Sequence, residues 1–501
     1  VTRPEARPPE APASPRSGEQ AHRRATRQLL VARGYFMVCG YIVAMVLARQ
    51  LRPADFGVYG VIVSAVAWIQ MLVAAGIPGA ASKLVPEHPD DPRTIESSVR
   101  FLLGVMSVVL FVAGWLAAPL IARVFDIPSG TTLFRIALLD IPLTGMYVAY
   151  QGIFTGHRRF APLAIAHATY ATAKVIGLGV LLWLGFSVAS ALLVNVSATA
   201  LVLIYLFTRF PPRAFRPGRP ALRQIAAFAM PMGLYLVAQQ VLMSLDLWSL
   251  KALWRGSQET VGYYVASLTI GKTLLVIPVV QSGVLFAFTA WALARRDDQD
   301  AARHVREASR FALLLIGPAA VIVALDASPV LGLLFSDAYS AGGRFLVFHL
   351  IAFGLFAFLD MYMHCIMAAG RPFLAASALL IVLPLIAFAN WRLIPALGPI
   401  GASFSLVLGV GVGFVASAVM VYRRFGAFMP GRTLGNVVIT VAILVVLSRL
   451  IQVTGILLLL KLTLLEVAAL ALLGLLGEIT TADFTWRAAP DETRDLEPEP
   501  T

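Results

Sequence analysis

The chain has 501 residues, 59% of them hydrophobic and 13% charged, with a mean hydropathy of +0.80. So little polar surface cannot solvate a globular fold, which excludes a water-soluble protein and makes a bilayer the solvent. The formal charge of +13 does not indicate a nucleic-acid binder, because the basic residues are spread along the chain and are not gathered on one face or domain.

Residues 1–28 form a Pro-, Ala- and Arg-rich arm without the apolar core of a secretory signal, so the first membrane helix is expected to direct insertion. Apolar runs of roughly 20 residues, long enough to cross the hydrocarbon core, then follow one another, about fourteen in all. They lie near 29–51, 56–76, 99–121, 131–152, 161–183, 186–207, 225–249, 260–285, 309–333, 344–368, 373–394, 399–422, 434–453 and 455–476. The expected organisation is a basic cytoplasmic arm (1–28), an N-terminal lobe of six helices (29–207), a basic linker (208–224) and a C-terminal lobe of six helices (225–422). Helices thirteen and fourteen (423–476) and an acidic tail (477–501) complete it. The arm and the stretch from Asp491 to Glu499 read as disordered, since neither buries enough apolar area to offset the entropy of ordering.

The cations set an orientation. Arg158 and Arg159, the group Arg209, Arg213, Arg216, Arg219 and Arg223, then Arg295, Arg296, Arg303 and Arg306, and finally Arg423, Arg424 and Arg432 all fall in even-numbered loops. Those loops are expected to be cytoplasmic, with both termini on the same side, in a cell inner membrane. Odd-numbered loops carry fewer, such as Arg123, Lys251 and Arg255.

Two stretches 205 positions apart share a pattern: Asp55-Phe56-Gly57-Val58-Tyr59 and Thr260-Val261-Gly262-Tyr263-Tyr264. Gly156-His157-Arg158-Arg159-Phe160 is echoed by Gly370-Arg371-Pro372-Phe373, and Gly185 by Gly398, 213 positions later. Three landmarks in order argue for an internal duplication. A repeat of six helices re-enters the membrane with the same orientation, so the expectation is two lobes related by a parallel pseudo-twofold axis, with a C-terminal helix pair appended.

Ionisable groups deep in a bilayer need a partner or a wet cavity. Lys174 lies near the centre of helix five and Lys272 is similarly deep in helix eight, while Arg33 sits about a turn inside helix one. Together they suggest a cationic cavity at the lobe interface, suited to a phosphate or another anionic headgroup. The alternative for Lys174 is internal pairing with Asp140, and for Arg33 it is snorkelling to the cytoplasmic surface. Asp140, Asp360 and His364 are candidate counter-ions or coupling groups. Gln239, Gln240, Gln281, Asn195 and Asn390 are candidates to hydrogen-bond sugar hydroxyls, or equally to link helices. Cys39 and Cys365 lie within predicted spans and read as packing residues.

Signatures of catalysis are meagre. No Gly-rich phosphate loop ending in Lys-Ser or Lys-Thr is present, the seven histidines are scattered, and Asp90-Asp91 reads as a solvated turn. No metal, no cofactor and no enzymatic activity are expected.

The segment Ala48-Arg49-Gln50-Leu51-Arg52-Pro53-Ala54-Asp55-Phe56-Gly57-Val58-Tyr59 resembles the turn after helix one in polysaccharide and O-antigen flippases. These belong to the multidrug, oligosaccharidyl-lipid and polysaccharide exporter superfamily. Asp246-Leu247-Trp248 leading into Gly262-Tyr263-Tyr264, and Ala369-Gly370-Arg371-Pro372, are similar to theirs as well, whereas Arg52 stands where the family usually has Gly. The resemblance implies a two-lobed transporter that moves a lipid-diphosphate-linked oligosaccharide, such as a lipopolysaccharide or exopolysaccharide intermediate, across the cytoplasmic membrane by alternating access. Its implied partners are membrane lipids, the lipid-linked glycan, and the glycosyltransferases and polymerase of a glycan assembly pathway. The rival readings are a cation-coupled drug or metabolite antiporter of the same superfamily, a peptidoglycan-precursor flippase and, from another class, a membrane glycan polymerase.

Overall fold

The computed structural model describes residues 34–212 and 217–479, and every regular element among them is helical. Arg33, the arm 1–28 and the stretch from Asp491 to Glu499 lie outside the described residues. The chain divides into two compact units, Val1–Gly262 and Tyr263–Thr501.

The first unit begins with α1 (Gly34–Gln50), α2 (Pro53–Ala74) and α3 (Ile77–Glu87). Pro53 opens α2 at a position where a missing N–H costs nothing. Gly76, at φ +74°, makes the break between α2 and α3, which together form one membrane-length stretch. The helix α4 (Pro92–Val124) starts on the cap Asp91, whose carboxylate accepts from the Thr94 backbone N–H at 3.2 Å. Hydrogen bonds from Thr94 hold the exposed Asp91 carboxyl below its ordinary value. Next come α5 (Gly130–Leu138), α6 (Asp140–Gly156), α7 (Phe160–Leu184) and α8 (Val188–Arg209), the last begun by a reciprocal Ser187/Ser190 capping box. The unit ends with α9 (Arg219–Leu242), α10 (Leu245–Leu253) and the first turn of α11 (Gln258–Gly271). A core around Tyr150, Phe154, Val202 and Leu206 joins α6 to α8. Helix α9, which spans the end of the expected linker (208–224) and the start of the expected C-terminal lobe at residue 225, packs on α2, α3 and α4 within the first unit.

In the second unit a 3-10 stretch, Lys272–Leu275, separates α11 from α12 (Val276–Ala294). Beyond it lie α13 (Asp298–Leu325), α14 (Ala327–Leu334), α15 (Gly343–Ala368), α16 (Pro372–Leu397), α17 (Pro399–Phe425), α18 (Gly431–Leu450) and α19 (Leu457–Leu475). The most enclosed helix is α15, with α12, α13, α16 and α17 around it. Helices α18 and α19 pack on α13 through Ile322, Leu444, Leu465 and Ala469. Glu478, just past the expected end of helix fourteen, is buried and accepts from Thr433 Oγ1 and Asn436 Nδ2, each at 2.8 Å, which fastens the end of this hairpin.

Among the described residues, eleven helical stretches are long and apolar enough to cross a bilayer, or twelve if the bent α9 counts as one span. A count of fourteen also requires crossings that include the shorter apolar helices Gly34–Gln50 and Gln281–Ala294. Large apolar side chains such as Leu116, Trp183, Ile381 and Leu464 are exposed, as a lipid-facing surface requires.

Two of the paired sequence landmarks can be compared as local turns. The sequence aligns Gly156 with Gly370. In the structure it is Arg158 (φ +55°) that occupies the left-handed position of Gly370 (φ +77°). The following amides close the same turn, Arg159 N–H to Phe154 C=O at 2.8 Å and Arg371 N–H to Ile366 C=O at 3.2 Å, before α7 and α16 begin. Sequence matching favours the two glycines because it reads residue type, but the conformation is set by the turn, and here a non-glycine residue adopts it. Gly185 and Gly398 both have positive φ.

Candidate functional site

In the first unit, four helices bring polar side chains together around the buried Asp140 and Thr199, the others being half-buried. Asp140 is the first residue of α6 and stands at the break from α5, so its carboxylate lies where a helix N-terminus favours negative charge. It is 7% exposed. Gln70 of α2 donates its Nε2–H to Asp140 Oδ2 at 2.8 Å and to Thr144 Oγ1 at 3.2 Å. Asp140 Oδ1 is buried without a hydrogen-bond donor among the described residues. Asn195 of α8 donates to the Tyr59 hydroxyl at 3.2 Å, and Thr199, one turn on, donates to the Asn195 carbonyl at 3.2 Å.

Lys174 of α7 is an electrostatic neighbour of Asp140. It makes no ion pair within 4.0 Å among the described residues, and its ammonium lies over the Tyr170 ring, 5.2 Å from the centroid. Tyr170 in turn stacks on Phe36 of α1 at 5.9 Å. A cation held by a ring face and a carboxylate in its neighbourhood keeps its N–H donors available, unlike one locked in a direct ion pair. Gln239 and Gln240 are half-buried near the end of α9.

The second unit has its own polar residues. Asp360 of α15 accepts from Ser282 Oγ at 3.0 Å, and His364, one turn on, bonds through Nδ1 to the Asp360 backbone carbonyl at 2.8 Å, with Nδ1 3.5 Å from Oδ2. Lys272 is not in a continuous helix, as the apolar run suggests, but opens the 3-10 stretch between α11 and α12. A 3-10 stretch between two helices often marks a hinge or local strain. Gln281 is tied by its Nε2–H to the Ala308 carbonyl at 2.8 Å, a helix-linking bond. Asn390 is fully buried in α16, and neither amide atom finds a partner among the described residues.

Gln70, Thr144, Tyr170 and Thr199 escape a reading of the sequence because uncharged polar residues are common in spans and only the fold brings them to Asp140. His349 escapes it too. It is fully buried, with Ser267 Oγ 3.0 Å from Nδ1, Ser403 Oγ 3.5 Å from Nε2, and the Tyr264 ring edge-on at 4.7 Å. A further omission was legible. Lys461, within the apolar α19, pairs with Asp326 at 2.7 Å and is almost fully buried, so the rule that singles out Lys174 applies equally to it.

Residues 24–291 match the family described as polysaccharide biosynthesis protein. An uncharacterised membrane protein of Methanocaldococcus jannaschii, MJ1068, is 21% identical over 413 residues, 75% of this chain and 79% of the relative. The sporulation protein YkvU of Bacillus subtilis is 27% identical over 192 residues, 36% of this chain and 42% of that one. Among solved structures, the lipid II flippase MurJ in an inward closed conformation superposes with a TM-score of 0.75 at 13% identity, covering 89% of this chain and 98% of that one. An inward-facing multidrug resistance MATE family transporter superposes with a TM-score of 0.62 at 16% identity, covering 79% and 98%. The fold is thus shared with these transporters.

Proposed function

The chain belongs to the polysaccharide biosynthesis protein family, and from that membership we propose that it is a flippase for a lipid-diphosphate-linked oligosaccharide in the cytoplasmic membrane. The observation that carries this reading is the family match over residues 24–291 in a chain whose fold is shared with the lipid II flippase. The spans, the parallel six-helix repeat and the cytoplasmic termini are part of the same proposal.

The chemistry of the task agrees with the residues. A diphosphate carries negative charge that must be compensated away from water, and sugars carry hydroxyls that need replacement hydrogen bonds. Lys174 and Lys272, with Arg33, are proposed to attract the diphosphate. Lys174 suits this role because no direct ion pair consumes its donors. Asn195 and Gln240 are proposed to meet sugar hydroxyls, whereas Gln281 is committed to Ala308. Membrane lipids and the glycosyltransferases and polymerase of the pathway remain the proposed partners. No step of this kind requires bond making or breaking by the chain itself.

The test is a cell whose glycan export depends on this protein. Lys174→Gln with Lys272→Gln, at normal protein level, is expected to reduce export at least about tenfold, each tenfold being about 1.4 kcal/mol of lost interaction. Unchanged export would overturn the role of the two lysines.

A second reading has one observation in its favour. Asp140, a buried carboxylate with one oxygen lacking a donor, would suit a bound cation in a cation-coupled antiporter. In a flippase the same group would serve as the ion-coupling residue, so it does not by itself separate the two.

A further inference from the structure

The end of the first unit that the charge pattern assigns to the cytoplasm contains a second cationic feature, outside the cluster around Asp140. On the first turns of α4, Arg93, Glu96 and Arg100 are spaced to share one helix face. The turn between α6 and α7 adds His157 and Arg159, its shape fixed by Arg158 in the left-handed conformation. Arg209 in the last turn of α8 completes the ring. These residues surround a cavity of about 400 Å³. Its floor is aromatic: Phe154 and Phe210 meet edge to face at 5.0 Å, and the Tyr150 hydroxyl donates to the Phe210 carbonyl at 2.7 Å.

The charges do not balance. Glu96 bridges, with Oε1 2.7 Å from His157 Nε2 and Oε2 3.5 Å from Arg100 Nη1. Arg100 is only 7% exposed. Its other guanidinium nitrogens donate to no group among the described residues, and Arg93, Arg159 and Arg209 are exposed and have no ion-pair partner there. A structural brace would need one carboxylate per guanidinium. Four arginines around a single glutamate instead leave a concave site with excess positive charge and several planar donor forks, which match the oxygens of a phosphate or diphosphate.

We propose that this cavity binds a phosphate or diphosphate group, with Glu96 orienting Arg100 and His157 and with Arg159 and Arg209 closing on the anion. The inference does not depend on what the protein transports. Two sources offer the same chemistry, a lipid headgroup and a free diphosphate in the cytoplasm.

The experiment uses the full chain. Radiolabelled inorganic pyrophosphate is titrated against protein in detergent, and phosphatidic acid retention is measured by native mass spectrometry from nanodiscs of phosphatidylcholine with phosphatidic acid. At least one probe should bind at one per chain. Pyrophosphate binding identifies a soluble ligand, and phosphatidic acid retention without pyrophosphate binding identifies a headgroup. Arg159→Gln with Arg209→Gln, both on the exposed rim where folding is not at risk, should weaken binding at least about tenfold per arginine. Arg423→Gln with Arg432→Gln, which removes two exposed arginines from the other unit, should leave it unchanged. The proposal is overturned if neither probe binds, or if the rim variant and the Arg423/Arg432 variant weaken binding equally.

Discussion

Gly57 and Gly262 meet backbone to backbone. A Cβ built on Gly57 would lie 2.8 Å from the Gly262 amide nitrogen, and one built on Gly262 would lie 1.8 Å from the Pro53 carbonyl oxygen. Each glycine is the fifth residue of its helix, α2 starting at Pro53 and α11 at Gln258. The two glycines of the similar sequence motifs are therefore packing partners within the first unit, and both need glycine because backbone is what they touch.

Gly262→Ala forces a methyl group against a carbonyl that cannot rotate away, so overpacking should cost about 1–3 kcal/mol or more. Gly57→Ala, with a longer closest approach, should cost less. Thermal unfolding of both variants in one detergent checks the order.

Asp140 and Lys174 are electrostatic neighbours without direct contact, a geometry that predicts non-additive effects. Asp140→Asn keeps the acceptor for Gln70 and removes the charge, and Lys174→Gln removes its counterpart. Each single change leaves the other charge buried, so the double variant should be more stable than the sum of the singles predicts, by about 0.5–3 kcal/mol. A double-mutant cycle on unfolding midpoints measures this.

Lys461 and Asp326 form a direct pair at 2.7 Å with Lys461 buried. Lys461→Met or Asp326→Asn alone strands one charge and should destabilise by about 3–5 kcal/mol, while the double change should recover most of that loss. Thermal melts of the three variants are sufficient.

Asp91 gives the pH dependence. Its folded-state carboxyl lies below the ordinary value of 3.8 because Thr94 donates to the ionised form. A carboxyl lowered by folding stabilises the fold above its unfolded value and loses that contribution as pH falls through the folded one. Amide exchange in the first turn of α4 should therefore accelerate relative to the α8 start as the pH drops below that ordinary range. Asp91→Ala should show the faster exchange already at neutral pH, and its rates should not rise further on acidification.

How much of this was legible beforehand differs by residue. Apolar runs bounded by charge show the spans because helix length is set by bilayer thickness. They do not show breaks such as Leu139 to Asp140 or Lys272–Leu275, since a helix interrupted inside a membrane keeps its apolar composition. Lys174 and Asp140 could be singled out by charge alone, but Gln70 and Thr199 acquire meaning only from being brought to Asp140 by other helices. The glycine landmarks were legible, whereas the left-handed conformation of Arg158 was not, because backbone conformation does not always follow residue type.

The central claim is tested most directly by reconstituting the purified chain in liposomes that carry a labelled lipid-diphosphate-linked oligosaccharide in one leaflet. A flippase should deliver the glycan to the opposite leaflet in a protein-dependent manner, and Lys174→Gln with Lys272→Gln should slow delivery at least about tenfold. No protein-dependent delivery, with the same liposomes exchanging an organic cation against a proton or sodium gradient, would contradict the account and identify a cation antiporter.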